Sequence, residues 1–380
     1  MKVCIAIEKF DPHVGGAERY CWDLAHFLSQ KGHDVAIICM KAAIPDIKAI
    51  NISLVKPFKF PQFLRHLSFA LLHYFKARKM TDYIHFCVGN TFYMNIYQPH
   101  GGLHRAWFLR ETLRHPAGIR GVCRTIKYMN PKDIVQRVLE WWTFKITKPQ
   151  VIAISEMVAR DIRFCFGYTR AMLHLIPNGI DVNKFTPNNI RHRDKIRSRY
   201  KINRNDFVYL FLANNLSLKG FDVLVKAAKL LNNLSVKLLI IGPYNWKIKR
   251  KAKGLSSTII FGGKANDPEL IYPACDCLVH PSFYDACSLV VLEALASGIP
   301  VITTKTNGAS MYISDKNGIV IPPGDPRALT ISMKNIFLND YKSKTALPFK
   351  KQEHVFVVIE DNLKKYEEQN SLKLRLLALR

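Results

Sequence analysis

The chain has 380 residues, a length that favours two domains of ordinary size over one. Hydrophobic residues make up 48% of it and there is no low-complexity tract, which excludes a disordered or fibrous protein. A net charge of +27 points to an anionic partner: nucleic acid, an anionic membrane surface or negatively charged small molecules. Within the first half of the chain, the excess of basic residues is most one-sided in the stretch 56–148, which contains 16 basic and 4 acidic residues.

The nine cysteines are scattered, and no pair of cysteines or histidines stands at the spacing of a zinc site. An odd number of cysteines without a secretory signal predicts reduced thiols in the cytoplasm. The first residues are typical of a strand and not of a signal peptide. The most apolar later stretch, 67–75, is too short to cross a bilayer. We therefore expect a cytoplasmic protein whose contact with the inner face of the cell membrane is peripheral.

The first residues predict a unit of two parallel strands joined by a helix. A buried strand at 3–7 is followed by the turn Gly15-Gly16, by a helix with one apolar face, and by a second strand at 35–40. Further strands are expected at 84–88 and 151–154. The region between them, 102–148, is rich in arginine and tryptophan and predicts two helices.

The alternation of strands and helices starts again at residue 207. We predict a first domain over 1–177, a second over 178–345, and a helical tail over 346–380 that packs back on the first domain. Both domains have the pattern of an open, doubly wound parallel α/β sheet. Ligands of such sheets bind outside the carboxyl ends of the strands, so two facing domains predict a cleft between them.

Two acidic residues stand eight positions apart in the second domain, Asp285 and Glu293. Glu293 lies in an otherwise apolar predicted helix, where a carboxylate needs a partner. Ser288 begins that helix, and the free backbone N–H groups of its first turn suit a diphosphate. The alternative is that Glu293 forms an ion pair at the edge of the domain, and spacing alone does not choose between the two.

Three further positions carry weaker signals. Gly15 and Gly16 open the first helix, where glycine lets backbone approach a phosphate, although a plain turn explains them equally well. Lys219 follows a strand and could neutralise a leaving diphosphate, although most lysines are solvated surface residues. His100 lies in a glycine-rich loop and could bind a sugar hydroxyl, although such a histidine is more often incidental.

Taken together, these motifs resemble glycosyltransferase family 4, a retaining family of GT-B fold. The resemblance runs from Lys2 to about Leu329, and its pieces occur in the family's order. They are Gly15-Gly16-Ala17-Glu18, Ile154-Ser155-Glu156, Ile176-Pro177-Asn178-Gly179-Ile180-Asp181, Lys219-Gly220-Phe221-Asp222, Gly242-Pro243, and the block from His280-Pro281-Ser282 to Pro300-Val301-Ile302. The stretch Tyr97-Gln98-Pro99-His100-Gly101-Gly102 and the basic first domain are similar to the lipopolysaccharide core glucosyltransferases of the family.

The resemblance implies roles for individual residues in the second domain. Asp285 would bind hydroxyls of the donor hexose, and Glu293 those of the ribose. The backbone at Ser288 and Leu289 would contact the diphosphate. Lys219 would stabilise the negative charge of the departing nucleotide.

In the first domain the resemblance assigns Gly15 and Gly16 to the diphosphate. Glu18 would lie near the acceptor and His100 near the donor sugar. Two positions depart from the family. Asp285 stands where glutamate is usual, and Asn214 stands where an arginine often supplies a second phosphate-binding cation. The departures put the level of activity in doubt and leave open a non-catalytic relative.

No Asp-x-Asp pair stands at the end of a predicted strand, so we expect metal-independent chemistry without a cofactor. The predicted reaction transfers a hexose, with UDP-glucose favoured as donor, to a glycan or lipid of the cell envelope such as lipopolysaccharide core. The alternatives are another GT-B enzyme, such as a sugar-nucleotide epimerase, and a non-catalytic protein that binds an anionic polymer or a membrane. We expect no specific nucleic acid, since none of its recognition motifs is present.

Overall fold

The computed structural model describes residues 1–43, 49–115, 117–231, 234–255, 258–339, 349 and 351–378. The chain forms two compact units. The first comprises Met1–Leu109, Gly118–Asn178 and Gln352–Arg380, and the second comprises Arg110–Ala117 and Gly179–Lys351.

The first unit contains a parallel sheet, a small second sheet, and helices on their surfaces. Its strands are β1 (Lys2–Ala6), β2 (Lys9–Phe10), β3 (Asp34–Cys39), β4 (Lys41–Ala42), β5 (Ile50–Leu54), β6 (Ile84–Cys87), β7 (Ile96–Tyr97), β8 (Gln150–Ala153) and β9 (Leu173–Leu175). Its helices are α1 (Gly16–Gln30), α2 (Gln62–Ala77), α3 (His104–Glu111), α4 (Arg120–Tyr128), α5 (Pro131–Trp141), which continues as a π-helix over Trp142–Thr147, and α6 (Glu156–Phe166).

The main sheet of the first unit has seven parallel strands in the order β5-β3-β1-β6-β7-β8-β9. Its central strands β1 and β3 are continuous apolar runs because helices cover both of their faces. The order reverses between β1 and β6, so the chain leaves these neighbouring strands towards opposite sides of the sheet.

The long C-terminal helix, Gln352–Ala378, packs on the core of the first unit. Its residues Val355, Phe356, Ile359 and Leu363 are buried among side chains of the first sheet and of α1. An ion pair between His33 and Glu360 joins the same helix to the loop before β3. Apolar residues three and four positions apart explain why one face of this helix is buried.

The second unit contains one sheet and shorter helices. Its strands are β10 (Phe207–Leu212), β11 (Val236–Ile241), β12 (Ile259–Gly263), β13 (Cys277–His280), β14 (Val301–Thr304) and β15 (Gly318–Ile321). Its helices are α7 (Arg193–Arg199), α8 (Phe221–Leu230), α9 (Trp246–Lys251), α10 (Pro268–Ile271), α11 (Leu289–Ala296) and α12 (Pro326–Leu338), and the C-terminal helix of the first unit is α13.

The strands of the second sheet are all parallel, in the order β12-β11-β10-β13-β14-β15. Numbered within the unit, this is the order 3-2-1-4-5-6 of the dinucleotide-binding folds. The reversal falls between β10 and β13. Residues that follow these two strands therefore lie at the position where such sheets bind their ligands.

Two features of the first half differ from the sequence-based expectation. The region 102–148 forms three α-helices and a π-helix instead of two helices. Proline at residue 131 begins α5 and separates it from α4, because proline suits the first turn of a helix. Residues 110–117, expected inside the first domain, belong to the second unit, where Leu113 packs against the core. Such a long-range contact has no local sequence signal.

In the part of the chain that the structure describes, we find no helix with the length and apolar character needed to span a bilayer.

Candidate active site

The carboxyl edge of the second sheet brings together two of the residues that the sequence singles out. Lys219 lies in the segment after β10, and Asp285 lies in the segment after β13. The Nζ atom of Lys219 donates a hydrogen bond of 2.5 Å to Oδ2 of Asp285. The two residues predicted to contact different parts of a donor thus form one ion pair at the reversal of the strand order.

A buried histidine supports this ion pair. Nε2 of His280, the last residue of β13, lies 3.1 Å from the same Oδ2 of Asp285. Although burial opposes the charged carboxylate, Lys219 and His280 hold the pKa of Asp285 well below its ordinary value. Burial lowers the pKa of His280, so the ring is neutral and its Nε2–H donates to the carboxylate. Asp285 is therefore an ionised acceptor whose two donors are already in place.

A close backbone approach sets the position of Lys219. Gly220 has a φ of +90°, and a Cβ atom there would lie 2.1 Å from the carbonyl oxygen of Pro281. The turn before α8 therefore contacts the residue that follows His280, which holds the segments after β10 and β13 together. Only glycine satisfies both the backbone angle and the lack of space.

Ser288 and Leu289 begin helix α11, as the sequence predicts. The Oγ atom of Ser288 lies 3.3 Å from Nε2 of His280. Its backbone N–H donates to the side chain of Asn307, so this group is already bonded in the structure. Leu289 is the first helical residue, and the N–H groups of a first turn have no partner within their own helix. The predicted contact of Ser288 and Leu289 with a diphosphate stays a prediction.

Glu293 lies one turn further along α11 and is held by a tyrosine. The hydroxyl of Tyr272 donates to Oε2 of Glu293 over 2.5 Å. Tyr272 is fully buried, and burial together with the carboxylate raises its pKa well above the ordinary value. The hydroxyl therefore remains a donor at all moderate pH values.

Asn214 follows the same strand as Lys219. It is exposed and lies two residues beyond β10. The cation that the family often has at this position is replaced by a neutral amide. Lys219 is the cation that contacts Asp285.

The first unit places Gly15 and Gly16 at the start of α1. The backbone of Gly15 is extended, so its angles do not require glycine. A Cβ atom there would lie 2.6 Å from a carboxylate oxygen of Glu18, which folds back over the helix terminus. In this structure the missing side chain thus makes room for Glu18. The predicted contact of the two glycines with a diphosphate stays a prediction.

His100 belongs to a hydrogen-bonded group with two residues that the sequence analysis does not single out. Its Nε2 lies 3.2 Å from Oε1 of Gln98, and Nε2 of Gln98 donates to the hydroxyl of Tyr20 over 3.0 Å. The rings of Tyr20 and His100 are 4.3 Å apart between centroids. Burial lowers the pKa of His100 to about 3.

Sequence reasoning thus found the charged residues and missed their neutral partners. His280 occurs in the quoted His280-Pro281-Ser282 motif, and Gln98 stands two positions before His100, so their proximity to predicted residues was a usable signal. Tyr272 is 21 positions from Glu293 and gave no such signal. Only the fold of the second unit brings Tyr272, in the 3₁₀ turn after α10, to Glu293 on α11.

Among the described residues, no group of three or more histidines, cysteines or carboxylates could hold a metal ion. The nine cysteines have free thiols, and seven of them are buried. The donor atoms at the carboxyl edge of the second sheet are one carboxylate, one amine and one imidazole, and the first two neutralise each other.

Comparison with protein families gives two matches in chain order. The model described as Glycosyltransferase Family 4 matches residues 14–184, and the model described as Glycosyl transferases group 1 matches residues 192–354. The two matches adjoin and correspond to the two sheets. The chain belongs to these glycosyltransferases of GT-B type and is an enzyme of that class.

Two of the relatives that match in sequence illustrate the similarity. An uncharacterized glycosyltransferase of Methanocaldococcus jannaschii is 26% identical over 360 residues, which cover 90% of this chain and 90% of that protein. The lipopolysaccharide glucosyltransferase WaaG of Escherichia coli is 30% identical over 155 residues, 39% of this chain and 41% of that protein.

Solved structures show the same fold. The crystal structure of WaaG superimposes with a TM-score of 0.77 at 19% identity, covering 90% of this chain and 93% of WaaG. The Anabaena protein HepE, solved in complex with UDP-glucose, superimposes with a TM-score of 0.65 at 18% identity and 99% coverage of both chains. The GT-B fold expected from the sequence, with two parallel-sheet α/β domains, is confirmed.

Proposed function

We propose that this glycosyltransferase retains configuration and transfers glucose from UDP-glucose to a glycan or lipid acceptor of the cell envelope, such as lipopolysaccharide core. The observation that carries the proposal is the ion pair of Lys219 and Asp285 at the reversal of the second sheet. A nucleotide-sugar has both a phosphate for the amine and hydroxyls for the carboxylate. A single charged pair can therefore bind both ends of the bond that breaks.

The names of two similar proteins support the choice of donor and acceptor. WaaG is a lipopolysaccharide glucosyltransferase, and HepE was solved with UDP-glucose bound. Glu293 lies on the same helix that starts beside Asp285, and Tyr272 fixes its carboxylate. In the proposal this carboxylate accepts hydrogen bonds from the ribose hydroxyls of the nucleotide.

The reaction proceeds without a metal in this proposal. The bond between the anomeric carbon and the UDP oxygen breaks, and the acceptor oxygen bonds to the same face of that carbon. The proton of the acceptor hydroxyl passes to the departing phosphate, so atoms and charges balance. Lys219 stabilises the developing charge of the diphosphate, and Asp285 orients the glucose through its hydroxyls. No protein base is needed.

Nucleotide release tests the identity of the donor. The purified protein is incubated with UDP-, GDP- and ADP-sugars, with and without lipopolysaccharide core, and free nucleotide is measured. We expect release from UDP-glucose, a strong loss in Glu293→Ala, and no change in Asp194→Ala, which removes an exposed carboxylate of the same unit. Release from a GDP- or ADP-sugar alone would contradict the proposed donor.

We also propose that the acceptor is reached at an anionic membrane surface, through helix α4. Four large apolar residues lie on one face of α4 and at its ends, namely Ile119, Val122, Ile126 and Met129. Each is between 49% and 70% exposed. In the part of the chain that the structure describes, nothing covers this apolar stripe. An exposed stripe of this kind is typical of a surface that binds a membrane or another protein.

The opposite side of α4 supplies the charge complementarity. This side has three basic residues at intervals of four and three positions, namely Arg120, Arg124 and Lys127. The spacing places them together, on the side of the helix away from the apolar stripe. A helix with one apolar and one basic face is the form that lies in the headgroup layer of an anionic bilayer. Two adjacent tryptophans lie at the junction of α5 and the π-helix. Trp142 donates its indole N–H to the carbonyl of Phe92 and packs against the ring of Phe92. Trp141 remains half-exposed.

Sedimentation with vesicles tests the membrane proposal. We expect the protein to sediment with vesicles of phosphatidylglycerol at low salt and to remain in solution with vesicles of phosphatidylcholine alone. Val122→Ser with Ile126→Ser should weaken sedimentation several-fold. Ile331→Ser removes an equally exposed apolar side chain of the second unit and should change nothing. If the double variant sediments as fully as the wild-type protein, the result would contradict the membrane proposal.

A further inference from the structure

We propose that Gln98 fixes the position of the ring proton of His100, so that Nε2 carries it and Nδ1 accepts a hydrogen bond from a substrate hydroxyl. The first half concerns this chain alone. The second half rests on the proposed function. Gln98 is then a positioning residue, since it acts on substrate only through His100.

The geometry is a chain of three side chains from two elements. Tyr20 projects from α1, while Gln98 and His100 belong to the segment after β7. Gln98 is fully buried, and both ends of its amide are used: Nε2 donates to the Tyr20 hydroxyl over 3.0 Å, and Oε1 lies 3.2 Å from Nε2 of His100. The main-chain N–H of Gln98 bonds to the carbonyl of Cys87 in β6, which fixes the residue against the sheet.

The orientation of the amide determines the tautomer of the histidine. An amide oxygen can only accept, so the nitrogen of His100 that faces it must carry the proton. The reversed amide would present its N–H₂ group to His100 and place the ring proton on Nδ1. In the structure the N–H₂ group faces Tyr20, and the two bonds together satisfy the buried amide.

The surroundings of His100 keep the ring neutral. The groups that face it are the phenol ring of Tyr20 from α1 and the amide of Gln98 from its own segment, and both are uncharged. Burial is the sole cause of its lowered pKa. At neutral pH the ring therefore keeps a lone pair on Nδ1, which an imidazolium ion would lack.

A neutral acceptor suits a sugar hydroxyl better than a phosphate. The lone pair on Nδ1 repels phosphate oxygens and accepts the proton of a hydroxyl group. His100 is half-buried, so the rest of its ring can be reached from outside. The ring contact with Tyr20 at 4.3 Å fixes the ring plane and hence the direction of this acceptor.

Nitrogen NMR of the histidine rings tests the first half without substrate. The full chain is labelled with ¹⁵N in histidine, and His100→Gln identifies the signals of His100. We expect Nε2 to have the shift of a protonated nitrogen and Nδ1 that of an unprotonated one, with no change between pH 7 and pH 5. A proton on Nδ1 would overturn the assignment.

Two variants test the second half. In Gln98→Glu the new carboxylate still accepts from Nε2 and stabilises the imidazolium, so the pKa of His100 should rise towards neutrality. Transfer activity should then fall as the pH drops through the new pKa and recover as the pH rises. Gln62→Glu makes the same substitution at an exposed position of the first unit and should keep the shape of the wild-type pH profile.

The two halves fail in distinguishable ways. A Gln98→Glu enzyme with the wild-type pH profile, although NMR shows a raised pKa of His100, would overturn the role of Nδ1 at the substrate. If the wild-type protein transfers no glucose, the proposed function fails, while the NMR result still decides the tautomer. If Gln98→Glu does not fold, Gln98→Met takes its place. It removes the acceptor of Nε2, so part of the ring proton should move to Nδ1 and transfer activity should fall at all pH values. An unchanged activity would overturn the role of Nδ1.

Discussion

Three side chains of the candidate sites are each held by a neutral, buried partner. Tyr272 donates to Glu293, His280 to Asp285, and Gln98 contacts His100. A neutral donor orients a carboxylate without cancelling its charge, so the carboxylate can still bind a hydroxyl. Such partners reduce the reorganisation needed when substrate arrives.

The bond from Tyr272 should contribute directly to nucleotide affinity. A hydrogen bond to a charged group contributes roughly 1.5–3 kcal/mol, and about 1.4 kcal/mol corresponds to a factor of ten. We expect Tyr272→Phe to raise the dissociation constant of UDP about tenfold in a calorimetric titration. Tyr209→Phe is the control, since it removes another buried hydroxyl of the same unit, bonded to the carbonyl of Met333. Equal affinity losses in both variants would assign the effect to general destabilisation.

The sequence was sufficient to find the charged residues because their chemistry is visible locally. Asp285 and Glu293 interrupt an apolar segment, and Lys219 follows a strand. The pairing of Lys219 with Asp285 was not predictable, because the two residues are 66 positions apart and the resemblance assigns them to different parts of the donor. Only the structure shows that they contact each other.

The turn between β10 and α8 connects the sheet to the candidate site. Gly220 precedes α8 and has the positive φ that the turn requires. Its lack of a side chain leaves room for the carbonyl of Pro281. Lys219 and His280 are the immediate neighbours of these two residues. A displacement of either segment therefore moves one of the two donors to Asp285.

Alanine at Gly220 should be costly for this reason. The positive φ costs roughly 1–2 kcal/mol and the overpacking a further 1–3 kcal/mol. Gly254→Ala is the matched control, because Gly254 has a φ of +87° but open space where the Cβ atom would be. Urea unfolding should show a loss for Gly220→Ala that exceeds the loss for Gly254→Ala by at least about 1 kcal/mol. Similar losses would contradict the close contact with Pro281.

Long periodic segments of the chain were predictable and short ones were not. The strands expected at 35–40 and 84–88 are found at Asp34–Cys39 and Ile84–Cys87, within one residue of their apolar runs. The three-residue strand β9 and the helix α4 were missed, since the first is too short for a period and the second buries no apolar face. Both the apolar and the basic face of α4 are outside the core, so a search for helices that bury an apolar face does not find α4.

Several histidines are buried as neutral rings, and together they make the protein sensitive to acid. Burial lowers the pKa of His73 to about 3 and that of His104 to about 4. An unfolded histidine has a pKa near 6.5, so between these values the unfolded chain binds protons that the folded chain does not. Stability therefore falls as the pH drops below about 6.5.

His73 on helix α2 offers a test of this effect. It is fully buried, and neither ring nitrogen has a hydrogen-bond partner. Because its pKa is lowered, His73 should make the free energy of unfolding about 2 kcal/mol smaller at pH 5 than at pH 7. We expect His73→Leu to reduce the difference in unfolding free energy between pH 7 and pH 5 by about this amount. Phe69→Leu, a core change on the same helix, should lower stability equally at both pH values. An unchanged difference in His73→Leu would show that the histidine is charged in the folded state.

The central claim is that the carboxyl edge of the second sheet performs the transfer, with Lys219 stabilising the leaving diphosphate. The most direct measurement is the rate of UDP release from UDP-glucose by Lys219→Ala, beside Lys251→Ala. Lys251 is an exposed lysine of the same unit that is also paired with an aspartate. We predict a rate lower by about 10²–10³ for Lys219→Ala and an unchanged rate for Lys251→Ala. A Lys219→Ala enzyme that keeps the wild-type rate would contradict the account.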